Sequence, residues 1–72
     1  MTEEIQISMK AARVNAGISQ GEMAKRIGRS QNAVMWWETD KREPRTSDFL
    51  RYCEICNIDP KFVRMPQVLE NN

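Results

Sequence analysis

The run from Gln20 to Glu38, QGEMAKRIGRSQNAVMWWE, restricts the fold more than any other part of the chain. Ser19 stands just before it and Glu22 three residues later, the spacing of a capping box in which hydroxyl and carboxylate satisfy two orphan helix amides. A helix is therefore predicted to start at Gln20. Ile18 and Met23 occupy the positions of a hydrophobic staple, which sets the angle of entry. Gly28 can take the left-handed conformation that ends a helix, and Ser30 follows as a cap for the next one. Two helices joined by so short a turn cross steeply and need a small residue where they meet, which Ala24 supplies. Met23 and Ile27, with Val34 and Trp37, form an inward stripe at helical spacing, leaving Gln31, Asn32, Met35 and Trp36 outward. Trp36 and Trp37 are adjacent and about 100° apart around a helix, so one of them must face out. Trp37 fits the apolar stripe, and Trp36 is expected on the outer face.

With 72 residues, the chain reads as one domain, 1–72, whose core is limited unless a second copy packs against it. A large catalytic cleft is not expected. Histidine is absent, and neither paired carboxylates at useful spacing, a glycine-rich phosphate loop after a strand, nor a nucleophile motif is present. The reading is a non-enzyme without cofactor. No apolar run reaches membrane-spanning length and no leader pattern precedes the chain, so a soluble, cytoplasmic protein is expected. Cys53 and Cys56 form a CxxC, which suits a redox pair or half a metal site. On a helix both thiols would share a face with Phe49 and Tyr52, and with no second cysteine pair the better reading is small buried hydrophobes and no metal.

A net charge of +1 is modest until it is divided along the chain. Between Lys10 and Arg45 there are eight basic residues against four acids, while the remainder carries six acids against three bases. Positive charge is thus gathered around the two-helix run, the asymmetry a phosphate-facing surface needs. Scattered cations that merely solvate helix faces are the alternative.

The flanking segments add three helices. Residues 1–4 read as a frayed arm, and Ile5, Met9, Ala12 and Ala16 have the spacing of a first helix over 5–16, with Gly17 as its C-cap. Pro44 makes Thr39 to Arg45 a loop. Thr46 or Ser47 is the expected cap of a helix to Cys56 with Phe49, Leu50, Cys53 and Cys56 inward, stopped by Asn57. Asp59-Pro60 starts a last short helix holding Phe62 and Val63, and Pro66 closes it ahead of a flexible tail, 66–72. The predicted fold is all-α, five helices and no sheet, with its central pair at about 20–38.

Small Ala24, turn Gly28, apolar Val34 and the run WETDKREP resemble the helix-turn-helix of the lambda-repressor/Cro-like (XRE-type) DNA-binding family over roughly Met9 to Phe62. Thr39-Asp40 stands where that family usually has Asn-Gly, a departure Asp40 can accommodate by a left-handed turn. The resemblance implies an Arg13–Glu38 ion pair holding the first helix to the third; a DNA-facing Arg13 is the competing reading. It implies a second helix lying above the groove, with Gln20 at a phosphate, and a third helix that reads bases. Gln31 and Asn32 suit the bidentate contact to adenine N6 and N7, while Trp36, flanked by Met35, could cover a thymine methyl. Arg29 and Ser30 in the turn, and Lys41, Arg42 and Arg45 in the loop, are expected at phosphates. Apolar Ile58, Phe62, Val63 and Met65 are the expected surface of a homodimer. The implied function is a sequence-specific regulator on double-stranded DNA, binding a pseudo-palindromic operator as phage, prophage or small bacterial repressors do. The alternative is an antitoxin or other protein-interaction module that meets its partner through Trp36, Met35 and the C-terminal apolar residues.

Overall fold

A computed structural model describes residues 5–68 of the chain. Four α-helices follow one another, α1 (Met9–Asn15), α2 (Gln20–Ile27), α3 (Gln31–Glu38) and α4 (Thr46–Ile55), with a short 3-10 turn at Pro60–Phe62. The first three begin alike. Ser8, Ser19 and Ser30 each take an extended conformation and accept the amide three residues on, at 3.0, 3.1 and 3.1 Å. The reciprocal half of the expected capping box at Ser19 does not form, because Glu22 turns along its helix to Arg26 at 3.1 Å.

The predicted fifth helix is the 3-10 turn instead. Asp59 caps it as expected, its Oδ1 accepting from the Lys61 amide, but Val63 leaves the helical region at φ −116° and no α-helical turn is completed. The first helix also starts later than its apolar spacing implies. Ile7 is extended and pairs in parallel with Val63, its amide donating to the Phe62 carbonyl and its carbonyl accepting from Arg64, both at 2.8 Å. Two β-branched residues favour extended backbone, and Ser8 is a better helix start than Ile5. This single bridge is the only β pairing among the described residues. The expected frayed arm, 1–4, and the last four residues of the expected tail lie outside the described residues, whereas Pro66, where the tail was expected to begin, is buried.

Met9, Met23, Val34, Tyr52, Cys53 and Val63 are the most deeply buried side chains, drawn from all four helices and the C-terminal bridge. In α4 the inward face departs from expectation. Phe49, Cys53 and Cys56 are buried as predicted and Tyr52, on the face shared by the thiols, is completely enclosed, but Leu50 is 48% exposed. Tyrosine can fill the interior because its hydroxyl finds acceptors there, 2.6 Å from Glu38 Oε2 and 2.9 Å from the Met9 carbonyl. Neither Thr46 nor Ser47 caps α4; Arg45 occupies that position and its cationic side chain cannot accept an amide. Asp48 offers a negative charge in the first turn instead. Asn57 ends the segment left-handed at φ 55°, as predicted.

Candidate nucleic-acid interface

The α2–turn–α3 unit forms where the local signals place it. Gly28 takes φ 77° and ψ 32°, and its amide and that of Arg29 both return to the Ala24 carbonyl. Ile18, Met23, Ala24, Ile27, Val34 and Trp37 are buried together, so α3 is seated on α2 through its inner stripe and shows its other side outward.

The outer side of α3 is anchored from below by a buried polar cluster. Arg13 Nε and Nη2 donate to the two carboxylate oxygens of Glu38 at 2.7 and 2.9 Å, and Arg13 Nη1 donates to the Ile18 carbonyl at 2.9 Å. Side-chain exposure is 9% for the arginine and 2% for the glutamate, so this fork is an interior pair joining α1 to the end of α3. Burial by itself would raise the Glu38 carboxyl, but hydrogen bonds from Arg13, Tyr52 and Gln20 outweigh it and hold the group below its ordinary range. The guanidinium of Arg13 is raised in turn, chiefly by its hydrogen bonds to Glu38. Tyr52 is pushed far upward by burial and by the Glu38 charge beside it.

From Glu38 the hydrogen bonds run outward. Gln20 Nε2 donates to Glu38 Oε1 at 3.3 Å, and Gln20 Oε1 accepts from Gln31 Nε2 at 3.4 Å. The Gln31 side chain therefore lies across the first turn of α2, over Gly21, where a Cβ would stand 3.7 Å from Gln31 Oε1. Gln31 keeps its carbonyl oxygen and its second amide hydrogen free, and Asn32 beside it is exposed.

The other residues singled out in the sequence are distributed unevenly. Ser30 spends its hydroxyl on the Ala33 amide. Arg29 leans onto Asp48 at 3.3 Å and ties the turn to α4, with 45% of its side chain still open to solvent. Met35 and Trp36 are half-buried rather than fully outward. Trp36 is covered by Arg42, whose guanidinium carbon stands 4.5 Å from the centre of the indole ring. Lys41, Arg42 and Arg45 are exposed on the loop, and the amides of Lys41 and Arg42 both donate to the Trp36 carbonyl. Asp40 accepts the left-handed conformation at φ 58° that the missing Asn-Gly required, and its carboxylate lies 3.7 Å from Arg64. Of the apolar set assigned to dimerisation, Ile58 is half-buried and Phe62 and Met65 are exposed. Val63 is excluded from such a surface: its pairing with Ile7 draws it into the core at 2% exposure.

Sequence reasoning missed the Tyr52 hydroxyl, the Gln20 bridge and the Arg42 stack. A tyrosine in an otherwise apolar stripe was the available signal, because a buried hydroxyl requires a partner. Cys53 and Cys56 are free and buried, the Cys53 thiol pushed up to about 11 by burial first and by Cys56 next. The Cys56 thiol moves the same way, again through burial. Among the described residues no helix is long and apolar enough to cross a membrane.

No curated protein and no solved structure matches the chain. The helix-turn-helix domain family matches residues 8–63, from the Ser8 cap to the Val63 bridge, in agreement with the resemblance carried by Ala24, Gly28 and Val34. Most of the chain lies within that match, and the protein belongs to the helix-turn-helix domain family.

Proposed function

We propose that this protein is a sequence-specific regulator that binds double-stranded DNA as a homodimer and controls transcription by occupying a pseudo-palindromic operator. The observation that carries the reading is the chain of hydrogen bonds from the buried Arg13–Glu38 pair through Gln20 to Gln31. It holds a side chain suited to adenine in one orientation at the N-terminus of α3, the part of a recognition helix that meets base edges. Lys41 and Arg45 lie just past the other end of that helix, where a backbone contact needs cations. The role is one of binding, without a catalytic step. In the dimer Ile58, Phe62 and Met65 meet their counterparts, and the two recognition helices stand about 34 Å apart, one turn of duplex.

Selection of duplexes from a random pool, followed by titration across a salt series, tests this. The expected result is a symmetric site bound with affinity that falls steeply with salt, as counterions leave the phosphates. Gln31→Ala relaxes preference at one position of each half-site, and Lys41→Ala lowers operator and scrambled binding alike, with a salt slope shallower by about one. Recovery of unselected pool sequences, bound independently of salt, would overturn the reading in favour of a protein-binding role.

A further inference from the structure

The three loop cations are not equivalent. Lys41 and Arg45 are exposed on the loop, whereas the guanidinium of Arg42, exposed as well, stands over the indole of Trp36 with its carbon 4.5 Å from the ring centre. The loop backbone follows, since the Lys41 and Arg42 amides share the Trp36 carbonyl at 2.9 and 3.3 Å. Trp36 is thus tied to Arg42 twice, by its ring and by its main chain.

Stacking occupies the flat face of a guanidinium and leaves the N–H groups at its edge available. Among the described residues Arg42 makes no ion pair, so none of those donors is spent on a carboxylate. Trp36 stands one helical turn beyond Asn32 on the same side of α3, and about 7.5 Å of helix axis beyond Gln31, roughly two base-pair steps. An arginine held over the indole at that point, rather than trailing from a loop, can present its free N–H edge for bidentate donation to guanine O6 and N7. The stack also removes one face of the indole from contact with a thymine methyl.

Resting on the DNA-binding reading above, the geometry points to Arg42 as a specificity-determining residue that reads a guanine in the major groove, with Trp36 as the platform that positions it. Lys41 and Arg45 remain phosphate contacts. The helix and the loop are then one reading surface.

The test repeats the random-duplex selection with the wild-type protein, Arg42→Ala, Arg42→Lys and Trp36→Leu, and measures binding to the selected site with each base pair replaced. Wild type is expected to require a guanine a few positions from the base read by Gln31, with replacement costing about tenfold to a hundredfold. In Arg42→Ala and Arg42→Lys that penalty shrinks to about twofold or less while the preference set by Gln31 persists. Arg42→Lys keeps the wild-type salt slope because its charge is retained. Trp36→Leu loses the same guanine although Arg42 is present, which separates platform from reader. If Arg42→Ala instead selects the unchanged sequence and binds all duplexes uniformly more weakly with a shallower salt slope, Arg42 is a phosphate contact and the inference is overturned. A wild-type protein that selects no sequence at all would overturn the regulatory reading, and this inference with it.

Discussion

Arg13 and Glu38 show what a single charged pair does when it is placed inside a domain this small. The fork is nearly dry, and each partner left alone would be a buried charge without compensation, which costs more than the pair itself contributes. Arg13→Ala or Glu38→Ala is expected to lower stability by about 3 kcal/mol, seen as a drop in melting temperature of about 10 °C or more. Tyr52→Phe removes only one donor and leaves the fork intact, so its cost is expected at about 1 to 2 kcal/mol. The depressed Glu38 carboxyl also fixes the sign of the acid response. The folded state binds a proton there less readily than the unfolded chain, so this contribution is complete above the ordinary glutamate value of 4.5 and is lost as pH falls below it through the folded value. Denaturant titrations between neutral and acid pH check this: Glu38→Gln, though weaker at neutrality, should lose less on acidification than wild type.

Within the elements, the glycines of the central helix pair separate backbone geometry from helix propensity. Gly28 and Gly21 differ in what an added methyl would meet and in the conformation it would join. Gly28 sits left-handed at φ 77° with nothing within 4 Å of a built Cβ, so the cost of Gly28→Ala is conformational alone, about 1 to 2 kcal/mol. Gly21 lies inside α2, where a methyl would only reach ordinary contact with Gln31 Oε1. Gly21→Ala is expected to raise stability by about 0.5 to 1 kcal/mol, because alanine gives up less backbone freedom in a helix. Thermal melting of the two variants measures both, and equal destabilisation would contradict this account of the turn. On α4 the geometry likewise explains the thiols: with burial holding both in the protonated form, Cys53 and Cys56 act as core packing.

Considered as a whole, the molecule closes by bringing the residues around Ile7 against those around Val63, which turns the C-terminal segment into part of the core on one side and an apolar surface on the other. Phe62 and Met65 remain 39% and 36% exposed, with Ile5 and Val68 also open. In the proposed dimer Phe62 and Met65, together with Ile58, are the residues covered by the second copy. Phe62→Glu is expected to shift sedimentation toward the monomer and weaken operator binding at low protein concentration. Its melting temperature, extrapolated to dilute protein, should change little, because the side chain lies outside the core. A variant that remains dimeric would remove Phe62 from the interface.

The extent of α2 and α3, their serine caps, the left-handed stops at Gly28 and Asn57 and the inward Met23, Ile27, Val34 and Trp37 were legible in the sequence alone. Each depends on residues within about one helical turn, so chain order already contains the interaction. The Arg13–Glu38 partnership was legible through the family resemblance rather than through spacing. What only the tertiary structure decided concerns residues far apart in the chain. Ile7 is extended because Val63 arrives beside it, Val63 is withdrawn from the surface for the same reason, and the predicted last helix shortens to a 3-10 turn as its backbone turns to pair. The Tyr52 hydroxyl is satisfied in the interior because Glu38 and the Met9 carbonyl are there to receive it, while Leu50 is left exposed. Arg42 rests on Trp36 because the loop folds back along α3. A buried polar group or an exposed cation takes the partner that folding brings within reach, and that partner is set by packing between elements, which no local pattern encodes.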